Sequence, residues 1–238
     1  MAHYYLGLCY YNGRRFDESL EIFTAFARKY PNSEFTPEAI YFYSDSNYNL
    51  GNLEDCIEGF DIVIARYPSH ERAEEALYTK AWALMDLGRD EDAITSLLQL
   101  IDKYPNSSYT PSSLFSIADY YYNEQRFQEA MDNYQKVVER YPDSEVAQEV
   151  PETITELGET IAYIEYEKAI VLFDQARDMD DDTLRRQAAE MLEKVAIDYP
   201  GTESEIGAYS NAGMIYEELN EWRKAAEMYD NVIRIFEE

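Results

Sequence analysis

Apolar and polar positions follow one another with the period of an α-helix in paired blocks along this chain. In the first pair, the aromatic-rich stretch Tyr4 to Tyr11 is broken by Asn12-Gly13. Phe16, Leu20, Phe23 and Ala27 then recur at the three- and four-residue spacing of one helix face, in a segment that runs to Tyr30. Pro31 ends it, because proline cannot donate to the helical ladder and pushes the residue before it out of the α region. Each pair therefore predicts two amphipathic helices joined by a tight turn. Asn32-Ser33-Glu34 and Asn106-Ser107-Ser108 are expected to supply the side chains that cap the helices following them.

The pair repeats. Tyr-Pro occurs at Tyr30-Pro31, Tyr67-Pro68, Tyr104-Pro105, Tyr141-Pro142 and Tyr199-Pro200, with 37 residues between each of the first four and 58 before the fifth. A fixed period in this range is the mark of an array of stacked hairpins. Residues 1–142 are expected to hold four regular 37-residue units, 143–166 a helical insertion, and 167–238 the fifth and sixth units. Met1 falls inside a repeat, as expected of a segment of a longer protein.

Small and large residues recur at matching places in the second helix of each pair. The small set is Ser19, Cys56, Ala93, Ala130, Ala188 and Ala225; the large set, four residues on, is Phe23, Phe60, Leu97, Tyr134, Leu192 and Tyr229. With Leu6-Gly7 and Tyr10 in the first helix and proline closing each complete unit, the chain resembles the tetratricopeptide repeat (TPR) superfamily. The first-helix glycine site departs from the family pattern, being Gly7 and Gly213 but Ser44, Ala81, Ala118 and Ala176 elsewhere. The segments 30–39 and 141–147 are similar to repeats of bacterial envelope proteins, namely the periplasmic partner of the Tol–Pal system and the lipoproteins of outer-membrane assembly. The resemblance implies an all-α, right-handed solenoid of about six helix-turn-helix repeats. It also implies a protein–protein interaction scaffold rather than an enzyme, set in the bacterial periplasm or envelope if the finer likeness holds and in the cytoplasm otherwise.

In that family, four positions of each first helix commonly face a concave groove. The first gives Tyr4, Tyr41, Tyr78 and Phe115, and the second Leu8, Asp45, Trp82 and Asp119. The third gives Tyr11, Tyr48, Met85 and Tyr122, and the fourth Asn12, Asn49, Asp86 and Asn123. An aromatic ladder beside an Asn/Asp ladder suits an extended peptide read partly through its backbone. The other reading is that individual tyrosines pack between helices. No basic residue stands among these positions, so capture of acidic peptide tails is not expected there. The equivalents in the last two units are Phe173, Arg177, Asp180 and Asp181, then Ser210, Met214, Glu217 and Glu218, an acidic end that should prefer a basic segment.

Ile154, Leu157, Ile161 and Ile164 form one apolar stripe in the insertion, which Pro151 is expected to open. The stripe predicts either an extra helix packed along the solenoid or a docking element. The chain could run as one long helix to about Met179, before Asp180-Asp181-Asp182 caps the next.

Charge narrows the partner. The 238 residues carry 48 acids against 20 Lys and Arg, a net charge of −28. Residues 1–142 hold 23 acids and 12 bases, and the shorter remainder 25 and 8. Such a field repels phosphate backbones and anionic membrane surfaces, which disfavours nucleic acid and lipid and leaves a neutral or basic protein partner. Two cysteines, Cys9 and Cys56, build neither a disulfide framework nor a zinc site, and His3 and His70 lie in different repeats. No phosphate loop or nucleophile elbow occurs, and no apolar run is long enough to span a bilayer. Neither a cofactor nor a metal is expected. Self-assembly, or service as a spacer in a longer protein, is the alternative to peptide binding.

Overall fold

A computed structural model describes residues 1–237; Glu238, the last residue of the sixth unit, lies outside the described residues. Twelve helices and no strand occur among them. They run α1 (Ala2–Asn12), α2 (Phe16–Lys29), α3 (Thr36–Leu50), α4 (Leu53–Arg66), α5 (Arg72–Asp86) and α6 (Asp90–Lys103). Then follow α7 (Thr110–Asn123), α8 (Phe127–Arg140), α9 (Glu145–Met179), α10 (Asp182–Asp198), α11 (Glu203–Glu218) and α12 (Trp222–Glu237). Each helix packs on the next, and odd-numbered helices also touch one another (α1 on α3, α3 on α5, α7 on α9, α9 on α11). The result is an all-α solenoid of six hairpins in which the odd helices form the closer-set inner layer.

The small and large positions of the even helices explain the stacking. All six small residues are buried. The large ones opposite them, Phe23, Phe60, Leu97, Tyr134 and Leu192, are buried as well, while Tyr229 in the last helix is half-buried. Close approach requires a missing Cβ. A Cβ on Gly7 would sit 2.7 Å from the Phe23 ring. Where the first helix carries Ser44 at that site, the glycine has moved to the other helix: a Cβ on Gly59 would lie 2.0 Å from Ser44 Oγ. The departure from the family pattern is thus compensated across the interface.

The Tyr-Pro corners link one unit to the next. Thr36 Oγ1 and Thr110 Oγ1 donate to the carbonyls of Tyr30 and Tyr104 at 2.5 and 2.9 Å, covering acceptors that the ended helices leave unpaired. Tyr104 and Tyr141 hydroxyls donate to the carbonyls of Pro68 and Pro105 in the preceding corner, at 2.6 and 2.9 Å. The serines of the corner do not cap helices as expected. Ser33 and Ser107 hydroxyls accept instead from the N–H of Phe35 and Tyr109, the residues just before α3 and α7. The side-chain caps occur at the irregular unit, where Ser144 accepts from Ala147 N–H and Asp181 from Thr183 and Leu184 N–H.

α9 corrects one expectation and decides another. Pro151 does not open it: the helix starts at Glu145, and Pro151 sits exposed inside it, where one ladder bond is forgone. The 35-residue helix runs unbroken to Met179, so insertion and repeat helix are one element with no boundary at 166. Leu157 and Ile161 are buried, with Ile154 and Ile164 half-buried. The N-terminal half of α9 closes a core with α7 and α8, and its C-terminal half closes another with α10, α11 and α12.

Candidate functional site

The inner face is built by α1, α3, α5 and α7, and the structure divides its sixteen singled-out side chains into supports and more open groups. Tyr4 and Tyr41 are supports, at 3% and 4% exposure. Three of the four first-position aromatics rest on a planar group 31 residues later. Tyr4 stacks on Phe35 (4.8 Å between centroids) and Tyr78 on Tyr109 (5.0 Å), while the Arg72 guanidinium lies 5.0 Å over Tyr41. Phe35, Arg72 and Tyr109 are themselves 37 residues apart, so this spine was present in the sequence as a column of planar side chains. Phe115 packs edge-on against Tyr134 within its own repeat (5.6 Å).

Arg72 is the polar centre of the spine. Its guanidinium pairs with Glu38 of α3 (3.2 Å) and Glu75 of α5 (2.5 Å) and also covers Phe42. Burial and the Glu38 carboxylate hold the Tyr4 hydroxyl protonated, well above the usual phenol range. Burial, with the nearby charges of Asp45 and Glu75, does the same to Tyr41.

Polar links also join the second and third positions. Tyr11 donates to the buried Asp45 of the next repeat, which also accepts from Asn49 Nδ2 at 3.1 Å. Burial pushes the Asp45 carboxyl up, against the pull of Tyr11, and the Glu75 charge adds to the rise. Tyr48 donates to Asp86 at 2.9 Å; burial and that carboxylate push its hydroxyl up to about 12. Asp119 accepts from Tyr134 and is raised by burial. Cys56 is plain core, its thiol pushed up to about 12 by burial.

The remaining groups are more open. Trp82 and Tyr122 are 40% and 45% exposed, large for aromatic rings. Asn12, Asn49, Asp86 and Asn123 are exposed, and Leu8 and Met85 are half-buried. Asn49 spends its amide donor on the Asp45 carbonyl and carboxylate, at 2.8 and 3.1 Å. In the last two units Phe173 is buried beneath the Arg177 guanidinium (5.6 Å), and Ser210 is half-buried. Asp181 is half-buried and caps α10, whereas Asp180, Met214, Glu217 and Glu218 are exposed. Arg185 pairs with Asp180 and Asp182 at 2.8 and 2.6 Å, which gives the acidic triplet a cation from its own chain. No group of three or more His, Cys, Asp or Glu suited to a metal ion occurs among the described residues.

The chain is similar to two solved TPR proteins. A tetratricopeptide repeat protein from Parabacteroides merdae is 15% identical, with 98% of this chain and 93% of that one covered and a TM-score of 0.55. A TPR repeats protein from Bacteroides fragilis is 13% identical, with coverages of 96% and 95% and a TM-score of 0.54. These likenesses support the fold. No curated protein matches the sequence. The sequence profile of the family YfiO, described as outer membrane lipoprotein, matches twice, over residues 2–120 and 113–231. With nearly every repeat matched, the chain belongs to the YfiO family within the TPR superfamily.

Proposed function

We propose that the inner face of α1, α3, α5 and α7 holds an extended segment of a partner protein. The observation that carries this reading is the pair Trp82 and Tyr122, two large rings more than a third exposed on a face whose other aromatics are buried or half-buried. Asn12 and Asn123 present exposed amides on the same face, and such amides pair with both the N–H and the C=O of an extended backbone. Tyr4, Tyr41 and Tyr78 serve as the rigid floor, and rigid rings lose little entropy on binding. Aromatic rings of this kind carry most of the energy of small interfaces. The partner is neutral or basic, because Asp86 and the acidic inner positions of the last two units would repel an acidic one. The family's description supports a setting in the bacterial cell envelope, and no helix among the described residues is long and apolar enough to cross a membrane.

The two tryptophans permit a direct test. With Trp222→Phe as background, Trp82 is the sole indole, and its emission should shift to the blue as a captured partner covers it. Trp82→Ala with Tyr122→Ala should weaken capture by about tenfold or more, the loss expected of hot-spot truncation, with helicity unchanged. Undiminished capture by the double variant would overturn the reading.

A further inference from the structure

A second recess lies on the opposite, outer face. Between α2 and α4 a notch of about 360 Å³ opens over α3, walled by Phe23, Ile40, Tyr43 and Ile62. Arg28 of α2 and Arg66 of α4 are its only charged lining residues; no acid lines it, in a chain that carries 48. Both arginines are exposed, and neither takes part in an ion pair among the described residues. Thr24 Oγ1, also in the lining, is buried with no hydrogen-bond partner. A helical threonine ordinarily returns its hydroxyl to the carbonyl four residues back, as Thr95, Thr155 and Thr160 do here.

One period further on, the same place looks after itself. Asp61 and Lys80 stand where the first notch has Thr24 and Tyr43, and they pair at 2.6 Å; Ala65 replaces Arg28. The first notch is therefore left with two uncompensated guanidiniums and an unused hydroxyl over an apolar wall. Its volume lies near the floor of the roughly 300–1,000 Å³ range of small-ligand pockets, so it has room for a side chain or two rather than a long ligand.

We propose that this notch binds an acidic-apolar segment of a partner protein. A Glu or Asp carboxylate sits between Arg28 and Arg66, and the neighbouring aliphatic side chain enters the notch. Guanidinium favours this role, because its planar fork matches a carboxylate with two parallel hydrogen bonds. Distant acids of this chain oppose it little at physiological salt, where fields fade beyond about 8 Å. The two faces of the solenoid thus recognise opposite chemistry.

The test is an NMR titration of the whole chain with acetyl-Leu-Glu-Leu-amide. Saturable shifts are expected at Thr24, Arg28 and Arg66, and the Gln analogue should bind about tenfold more weakly. Arg28→Ala with Arg66→Ala, both exposed, should abolish those shifts while the remaining spectrum stays folded. Absence of saturable shifts in the unaltered chain, or their persistence in the double variant, overturns the proposal. So does binding of decanoate in place of the peptide, which would assign the notch to an acyl chain.

Discussion

The stack of repeats one to four and the pair that follows α9 use the same hairpin but hold together differently. The buried cluster of the first region, as described, has six aromatics among 21 residues: Tyr4, Phe23, Phe26, Tyr41, Phe42 and Phe60. The cluster of the last region has eight alanines among 15, including Ala188, Ala208 and Ala212. Large rings gain stability by the area that they remove from water, whereas small residues gain it by letting helix backbones come close. The first region adds a polar spine centred on Arg72, and the second leans on the single long helix α9. A repeat fold therefore fixes where helices meet, and leaves open what does the holding.

The difference can be broken most sharply at Phe60, which is fully buried in the first cluster. Phe60→Ala should cost about 3–5 kcal/mol, read from urea unfolding, since truncation removes burial and leaves a cavity. The converse change tests the second region. Ala212→Leu should cost about 1–3 kcal/mol through overpacking of a site with no spare room. A negligible cost there would show that the alanine-rich core is looser than its burial indicates.

The smallest expected effect concerns pH and the polar links of the first region. Burial raises the Asp45 carboxyl above its ordinary value of 3.8, so the folded chain binds its proton more tightly than the unfolded chain does. That group favours folding at pH below 3.8, and the advantage is lost as pH rises through the folded value. Unfolding free energy measured against pH should therefore fall across this window in the parent, and less so in Asp45→Asn. Equal slopes would show that Tyr11 and Asn49 already offset the burial.

The repeat architecture was legible because each copy of a position meets the same surroundings. Ser19, Cys56, Ala93, Ala130, Ala188 and Ala225 all had to be small for one reason, which made the pattern visible six times. The candidate site was legible only in part. Family position placed Tyr4, Tyr41, Trp82 and Tyr122 on the inner face alike, yet two of them are buried and two open. What separates them is the planar partner one repeat later that covers the first position and not the second or third. The column Phe35, Arg72 and Tyr109 was the available signal, and it sits at the starts of α3, α5 and α7 rather than at the four inner positions. The outer notch was missed for a similar reason. Arg28 and Arg66 look like ordinary surface charge until Asp61 and Lys80 are seen paired in the equivalent place.

The sequence by itself determined the helices, their pairing, the 37-residue period and the acidic field, because these follow from local spacing, proline placement and composition. Only the tertiary structure decided that α9 is one helix running through Pro151, that Tyr4 and Tyr41 are buried, and that two exposed arginines line one recess without an ion pair. The reason is physical: burial and ion pairing depend on which residues of neighbouring repeats face each other. A lost ladder bond at an exposed proline is tolerated when packing on both sides of the helix outweighs it.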